Sequence, residues 1–413
     1  MGPLGIILFA LALIASIMLH EAGHMVCARK AGGKVTEFFV GFGPRLWSFR
    51  RGETEYGVKA IPAGGYVKIV GMTDLEPIDP EDEPRAFYRK PLGWRLLTLS
   101  AGSLVHFIIA LVLLLMVPLT WGVATRDLSG TVGTVTQCLK TTAGACGTGD
   151  AQSPALAAGL ANGDKIIAVG GVPTHSWQDV TDQLHKGQPS LGADNKPTSA
   201  PVPVAVTYLH DGQQKTTTIT PAVGNVSADP NQVQLGLMIG IQAPPEITKH
   251  PGPVSALGQG FSDFGSYAKG SVTGLVDIPA SIPKLFQAAT NTSQPRSANA
   301  PVGVVGMASL TGSVIKDGGY ASFLQYIASI NLFIGIFNLL PLLPLLPLDG
   351  GHIAIALYES GRRKVAKLVG RPDPGRVDLN KLMPAAFTFL VLFVGLSLLL
   401  MAADITNPLK FPS

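Results

Sequence analysis

Charge is scarce in this chain. Asp, Glu, Lys and Arg make up 14% of its 413 residues, against roughly a quarter in an ordinary soluble domain, and the mean hydropathy is positive at +0.33. A wholly soluble protein is therefore excluded, and the length argues against a single domain. The net charge of +4 is too small to imply nucleic acid, and the basic residues are grouped by loop rather than gathered into one patch. Cysteine is equally sparse, and Cys27, Cys138 and Cys146 match no metal-finger spacing. No basic residue precedes the first apolar stretch, and a metal-ligand motif lies inside it, so it is read as a retained helix rather than a signal peptide.

Long apolar runs are present in its place. Four are long enough to span a bilayer, at about residues 4–28, 96–123, 322–340 and 383–403. The expected organisation is a first transmembrane helix (1–28), a loop with membrane-associated β-strands (29–95), a second helix (96–123), a compact outer domain (130–242), an amphipathic helical region (254–320), a third and broken helix (321–357) and a fourth helix (383–404). Lys and Arg crowd the loop after the first helix and the one before the last, which makes those loops cytoplasmic and both termini extracytoplasmic.

The first run closes on His20-Glu21-Ala22-Gly23-His24. On a helix His20 and His24 share a face and can bind one Zn²⁺, while Glu21 is placed to take a proton from a metal-bound water. His20 precedes Arg29 by nine residues, which puts it roughly 13 Å inside the cytoplasmic boundary. Ionisable groups at that depth cost about 3 kcal/mol each on insertion scales, so three of them together require a compensating partner. Cys27 lies near the same helix face and is weighed as a third ligand against a small core residue. The proline-rich run from Asn338 to His352, with Pro341, Pro344 and Pro347, cannot be a regular helix and is expected to be extended backbone at membrane depth. Asp349 at its end supplies a carboxylate, completing a His₂Asp site whose fourth position is left for water.

In the first loop, 35–49 and 55–69 read as β-strands with glycine turns at Gly41-Phe42-Gly43-Pro44 and Pro62-Ala63-Gly64-Gly65. A free edge around Gly64, Gly65 and Tyr66 offers backbone hydrogen bonds to an extended substrate. In the outer domain, A-G-L at 158–160, G-D-x-I at 163–166 and a strand ending in Gly170-Gly171 resemble a PDZ domain, which implies a peptide or protein ligand. Cys138 and Cys146, eight apart in an oxidising compartment, are expected to form a disulfide.

Taken together, H-E-x-x-H, G-F-G-P, P-x-G-G-Y-V-K, the PDZ-like domain and the N-x-x-P…P-L-D-G-G-H run resemble the bacterial site-2 protease family, in particular its single-PDZ members that cleave membrane-bound anti-sigma factors. The resemblance implies a multi-pass α-helical membrane protein of the inner or plasma membrane, with four transmembrane helices, a β-hairpin or sheet at the membrane and an extracytoplasmic PDZ-like α/β domain. It implies zinc on His20, His24 and Asp349, Glu21 as catalytic acid/base, and Asn338 near the reacting carbonyl. The partners implied are single-pass membrane substrates and the lipid bilayer, with no nucleic acid. Two departures stand out: Ala101-Gly102-Ser103-Leu104-Val105-His106 occupies the place of the family's A-G-P followed by Asn, and an extra proline-leucine unit lengthens the spacing from Asn338 to Asp349 by three residues. A zinc transporter and an inactive PDZ-bearing scaffold are the competing classes.

Overall fold

The computed structural model describes residues 2–72, 77–125, 128–140, 146, 151–192, 194–225, 235–245, 247–290, 296, 300–341 and 348–409. The chain divides into two units, one formed by Met1–Trp121 with Pro251–Phe411 and the other centred on Gly122–His250. In chain order the helices are α1 (Gly2–Lys30), α2 (Leu92–Thr120), α3 (Pro154–Ala157), α4 (Trp177–His185), α5 (Pro253–Thr290), α6 (Val304–Asn338), α7 (Asp349–Leu368) and α8 (Met383–Thr406).

Four helical segments are long and apolar enough to cross a membrane: Pro3–Lys30, Leu92–Thr120, Gly318–Asn338 and Met383–Thr406. α1 ends where Gly32 takes a positive φ of 72° just after Arg29 and Lys30, the basic pair that ends the apolar run. With lipid on both sides of the comparison, helices in a bilayer associate through close contact of small residues rather than through the hydrophobic effect. That is how α1 is held here. A Cβ on Gly23 would lie 2.9 Å from the Ala101 carbonyl oxygen of α2, and one on Gly5 would lie 2.7 Å from the Gly312 amide nitrogen of α6.

In the amphipathic region, α5 runs unbroken through Pro279 and Pro283 with most of its side chains exposed, and it packs on α2 with a Gly260 Cβ position 2.8 Å from the Leu114 carbonyl oxygen. Two expectations change. The helix that follows, α6, begins at Val304 and changes direction at Gly319, whose φ of 66° is closed to most other residues, so the third span starts at that Gly-Gly pair. Nor does the third span run on through residue 357. α6 stops at Asn338, and α7 is a separate helix that starts at Asp349 and extends to Leu368. The proline-rich residues 342–347 lie outside the described residues.

Between α1 and α2 the chain forms β1 (Val35–Arg51) and β2 (Thr54–Ile69). Their register shifts are large because the pair curls: residues 35–40 lie opposite both 65–69 and 55–58, while 47–51 lie opposite 54–58. The ladder segment 65–69 is thereby left at one border of the curl. It lies against α1, where Gly65 leaves no room for a Cβ beside the Met18 sulfur at 2.6 Å. Ala28, Val35, Ile69, Phe87, Leu99 and Ala356 form one buried cluster that joins α1, both strands, α2 and α7.

In the second unit the strands are β3 (Val123–Thr125), β4 (Thr134–Val135), β5 (Lys165–Val169), β6 (Val172–Pro173), β7 (Val204–His210), β8 (Gln213–Ile219), β9 (Ala222–Asn225), β10 (Leu235–Met238), β11 (Ile241–Gln242) and β12 (Ile247–Lys249). A four-stranded sheet runs β6-β5-β7-β8, and its apolar face and α4 enclose Val132, Ile166, Val180, Val206 and Ile219. α4 starts on a capping box between Ser176 and Asp179. The Asp211-Gly212 turn carries positive φ at both residues, as a two-residue hairpin loop requires. The unit exceeds the expected 130–242 because β3 pairs with β12, closing its two ends on each other. Cys138 and Cys146 are joined, with their Cα atoms 6.0 Å apart.

One ion pair ties α7 to α2. The Arg95 guanidinium donates to Glu359 over 3.0 Å with both side chains largely buried, and Glu359 also accepts from the Val377 amide at 3.0 Å. Removing one partner strands the other charge. Arg95→Gln and Glu359→Gln are each expected to destabilise the fold by about 3 kcal/mol, whereas the apolar double variant R95M E359L recovers most of that loss. Thermal melts of the four proteins in detergent read this out.

Candidate metal centre

Helix geometry brings His20 and His24 together, since residues four apart share a face. Both are buried, at 7% and 3% exposure, and their Nε2 atoms stand 3.1 Å apart. Asp349 joins them from the far end of the sequence, its Oδ2 lying 3.5 Å from His20 Nε2 and 3.4 Å from His24 Nε2. Contrary to the extended backbone expected there, Asp349 sits in the first turn of α7, where the helix dipole favours a carboxylate. Gly350 makes this approach possible. A Cβ on it would lie 2.4 Å from the Leu339 carbonyl oxygen at the end of α6.

The three atoms fit a zinc ion on two counts. Ligands about 2.0–2.1 Å from one ion at the tetrahedral angle stand about 3.3 Å apart, and the observed separations of 3.1, 3.4 and 3.5 Å bracket that value. Moreover, Asp349 Oδ2 is buried without a hydrogen-bond partner, a costly arrangement for a carboxylate oxygen unless a cation meets it. Among the described residues this is the one group of three or more His, Cys, Asp or Glu side chains that can hold a metal. The donor set of two imidazoles and a carboxylate is that of catalytic zinc sites, which leave one position for water.

The surroundings orient each part. His24 Nδ1 donates to the Thr98 carbonyl oxygen at 2.7 Å, so its Nε2 presents a lone pair to the centre. Glu21 stands outside the ligand trio, half-buried on α1 beside His20. Cys27 is a free, half-buried thiol, also outside the trio. Asn338 is the last residue of α6 and makes no side-chain hydrogen bond among the described residues. Gly64 takes a φ of 133°, and Tyr66 stacks on Phe39 and Phe42, donates to Glu37 and accepts from Lys59 at 2.8 Å. Burial, and then the Glu37 carboxylate, raise the Tyr66 phenol, which keeps it a neutral donor.

Several neighbours were given no role by the sequence reading: Thr98, Gly102 and His106 of α2 each meet a histidine of the trio, and Asn331 of α6 meets His106. Two carried a signal: His106 and Asn331 are polar groups within otherwise apolar spans, and such residues are functional by default.

Two buried histidines on a helix apolar enough to span a membrane, met by a carboxylate at metal-ligand distance and with a second carboxylate beside them, have the make-up of a membrane-embedded metallohydrolase centre. The chain belongs to peptidase family M50, whose model matches residues 8–371. It is 36% identical over 423 residues to the zinc metalloprotease Rip1 of Mycolicibacterium smegmatis, covering 99% of each chain, and 36% identical over 411 residues to that of Mycobacterium tuberculosis, covering 98% of each. The zinc metalloprotease RasP of Geobacillus kaustophilus is 25% identical over 435 residues, covering 87% of this chain and 90% of its own. The chain is thus an intramembrane zinc metalloprotease of the site-2 type, as its motifs imply.

Gly102 packs directly under His20. A Cβ there would stand 2.3–2.5 Å from three atoms of the imidazole. Gly102→Ala is expected to weaken zinc binding at least about tenfold, as loss of an orienting neighbour does, while Gly93→Ala on the same helix, with nothing within 4 Å, leaves it unchanged. Chelator competition on the purified proteins measures both.

Proposed function

We propose that His20, His24 and Asp349 hold the catalytic zinc and that Glu21 moves the proton in hydrolysis of a peptide bond within the transmembrane segment of a single-pass membrane protein. The observation that carries this is the convergence of two Nε2 atoms of the first spanning helix and the Oδ2 atom of Asp349 at zinc-ligand separations. Zinc bound there supplies Lewis acidity, lowering the pKa of water toward neutrality. Glu21 accepts a proton from that water and returns it to the departing amine, the general acid–base role of a carboxylate one residue from a ligand histidine. Asn338, at the end of α6, is the proposed donor to the reacting carbonyl.

A helical substrate shields its own amides and must be unwound before attack. The ladder segment 65–69 supports an extended binding mode: it borders the curled sheet and lies against α1 at Met18, so a peptide lying along Gly64, Gly65 and Tyr66 passes close to the helix that carries Glu21. Exposed Phe42, Leu46, Trp47, Phe49 and Ile61 give the same sheet an apolar surface suited to the membrane boundary. The second unit is proposed to be a PDZ-like domain on the extracytoplasmic side that receives a peptide or protein ligand, with both basic loops cytoplasmic and both termini outside. Anti-sigma factors are the substrate class that the single-PDZ resemblance points to. A transporter needs successive metal sites, and the described residues hold one such group.

Glu21→Gln is expected to keep zinc and lose cleavage of a reconstituted single-pass substrate by about 10²-fold or more. Mass spectrometry of the products locates the cut; a scissile bond outside the hydrophobic segment overturns the reading.

A further inference from the structure

The two ligand histidines are held by different means. A zinc-bound histidine nearly always donates its second ring N–H to an oxygen, which fixes the ring, and His24 does so through Thr98. His20 does not: its Nδ1 is buried beside the Gly102 backbone without a hydrogen bond of normal geometry. The His20 ring instead lies in a slot on α2, with Gly102 beneath it and His106, one turn further along, against it at 4.9 Å between ring centroids.

His106 is itself fixed. Asn331 Nδ2 donates to the Ile327 carbonyl oxygen at 2.9 Å, which turns Asn331 Oδ1 toward His106 Nδ1 at 2.8 Å. An amide oxygen only accepts, so Nδ1 carries the proton and Nε2, on the opposite edge of the ring, keeps its lone pair. Both side chains are 1% exposed, and Gly335 of α6, one turn beyond Asn331, admits the α2 side chains so closely that a Cβ there would stand 2.7 Å from the Phe107 ring. The chain of contacts therefore runs from the α6 backbone through Asn331 and His106 to a zinc ligand on α1.

We propose that His106 is a positioning residue for the metal centre: it holds the His20 ring in the plane in which Nε2 faces Asp349, and Asn331 holds His106. This rests on the zinc reading of the trio. An imidazole serving only to join α2 and α6 would set the stability of the fold without setting the affinity of the site.

The test uses the full chain in detergent with four variants: His106→Ala, Asn331→Leu, the apolar pair H106F N331L, and His24→Ala as reference. Zinc affinity is read by chelator competition, ligand geometry by the visible absorption of the cobalt-substituted protein, and stability by thermal melting. His106→Ala and Asn331→Leu are expected to bind zinc about 10–100-fold more weakly and to change the cobalt spectrum. H106F N331L restores a ring against His20 without leaving a buried polar group, so affinity and spectrum return toward those of the unmutated protein. Unchanged affinity and spectrum in His106→Ala, whatever its melting temperature, overturn the proposal, and so does a loss that the apolar pair fails to recover. Failure of the underlying zinc reading looks different: His24→Ala then binds zinc as tightly as the unmutated protein.

Discussion

The cost of burying ionisable groups in lipid governs this structure. Two imidazoles and a carboxylate at membrane depth are each unfavourable, and together they remain so unless a divalent cation compensates them. The trio shows the mark of that demand in Asp349 Oδ2, which faces two ring nitrogens and accepts no hydrogen bond. The rest of the first unit can be read as the means of bringing three elements from distant parts of the chain to one point and keeping them there. α1 brings the histidines, α7 the aspartate, and α2 the surface on which both rest.

Small residues make that convergence possible. Gly23 lets α1 lie on the α2 backbone, Gly102 admits the His20 ring, and Gly350 lets the first turn of α7 sit on the end of α6. Each contact is closer than any side chain with a Cβ permits. Dispersion at such short range substitutes for the hydrophobic effect, which contributes little between helices already in lipid. Polar links then fix the angles. Thr98 holds His24, and Arg95 with Glu359 ties α7 to α2.

Much of this was legible in the sequence because the chemistry is periodic or compositional. The spacing of His20 and His24, the four apolar runs and the alternation of β7 and β8 are all short-range patterns with one structural solution, whereas the glycines at 41–44 and 62–65, expected as turns, lie inside continuous strands that they let curl. What was not legible depends on pairs far apart. His106 and Asn331 are 225 residues apart, and no spacing links them; each alone is only a polar residue in an apolar helix. The proline-rich run misled in a different way. The prolines argue for extended backbone through the whole run, but nothing in their number says that a helix begins at Asp349. Gly319 was similarly hidden, since a Gly-Gly pair reads as a turn and here bends one helix into two.

The start of a helix at Asp349 matters for the proposed chemistry. A ligand in extended backbone would rely on its neighbours alone for position, whereas one in the first turn of α7 inherits the rigidity of a twenty-residue helix anchored through Glu359. The strand side of the centre is built on the opposite principle. Segment 65–69 borders its curled sheet and touches α1 where Gly65 meets Met18. On the proposed reading, a rigid helix carries the metal ligand and a sheet border receives the substrate, so the peptide can be drawn into extended form without disturbing the atoms that hold the zinc.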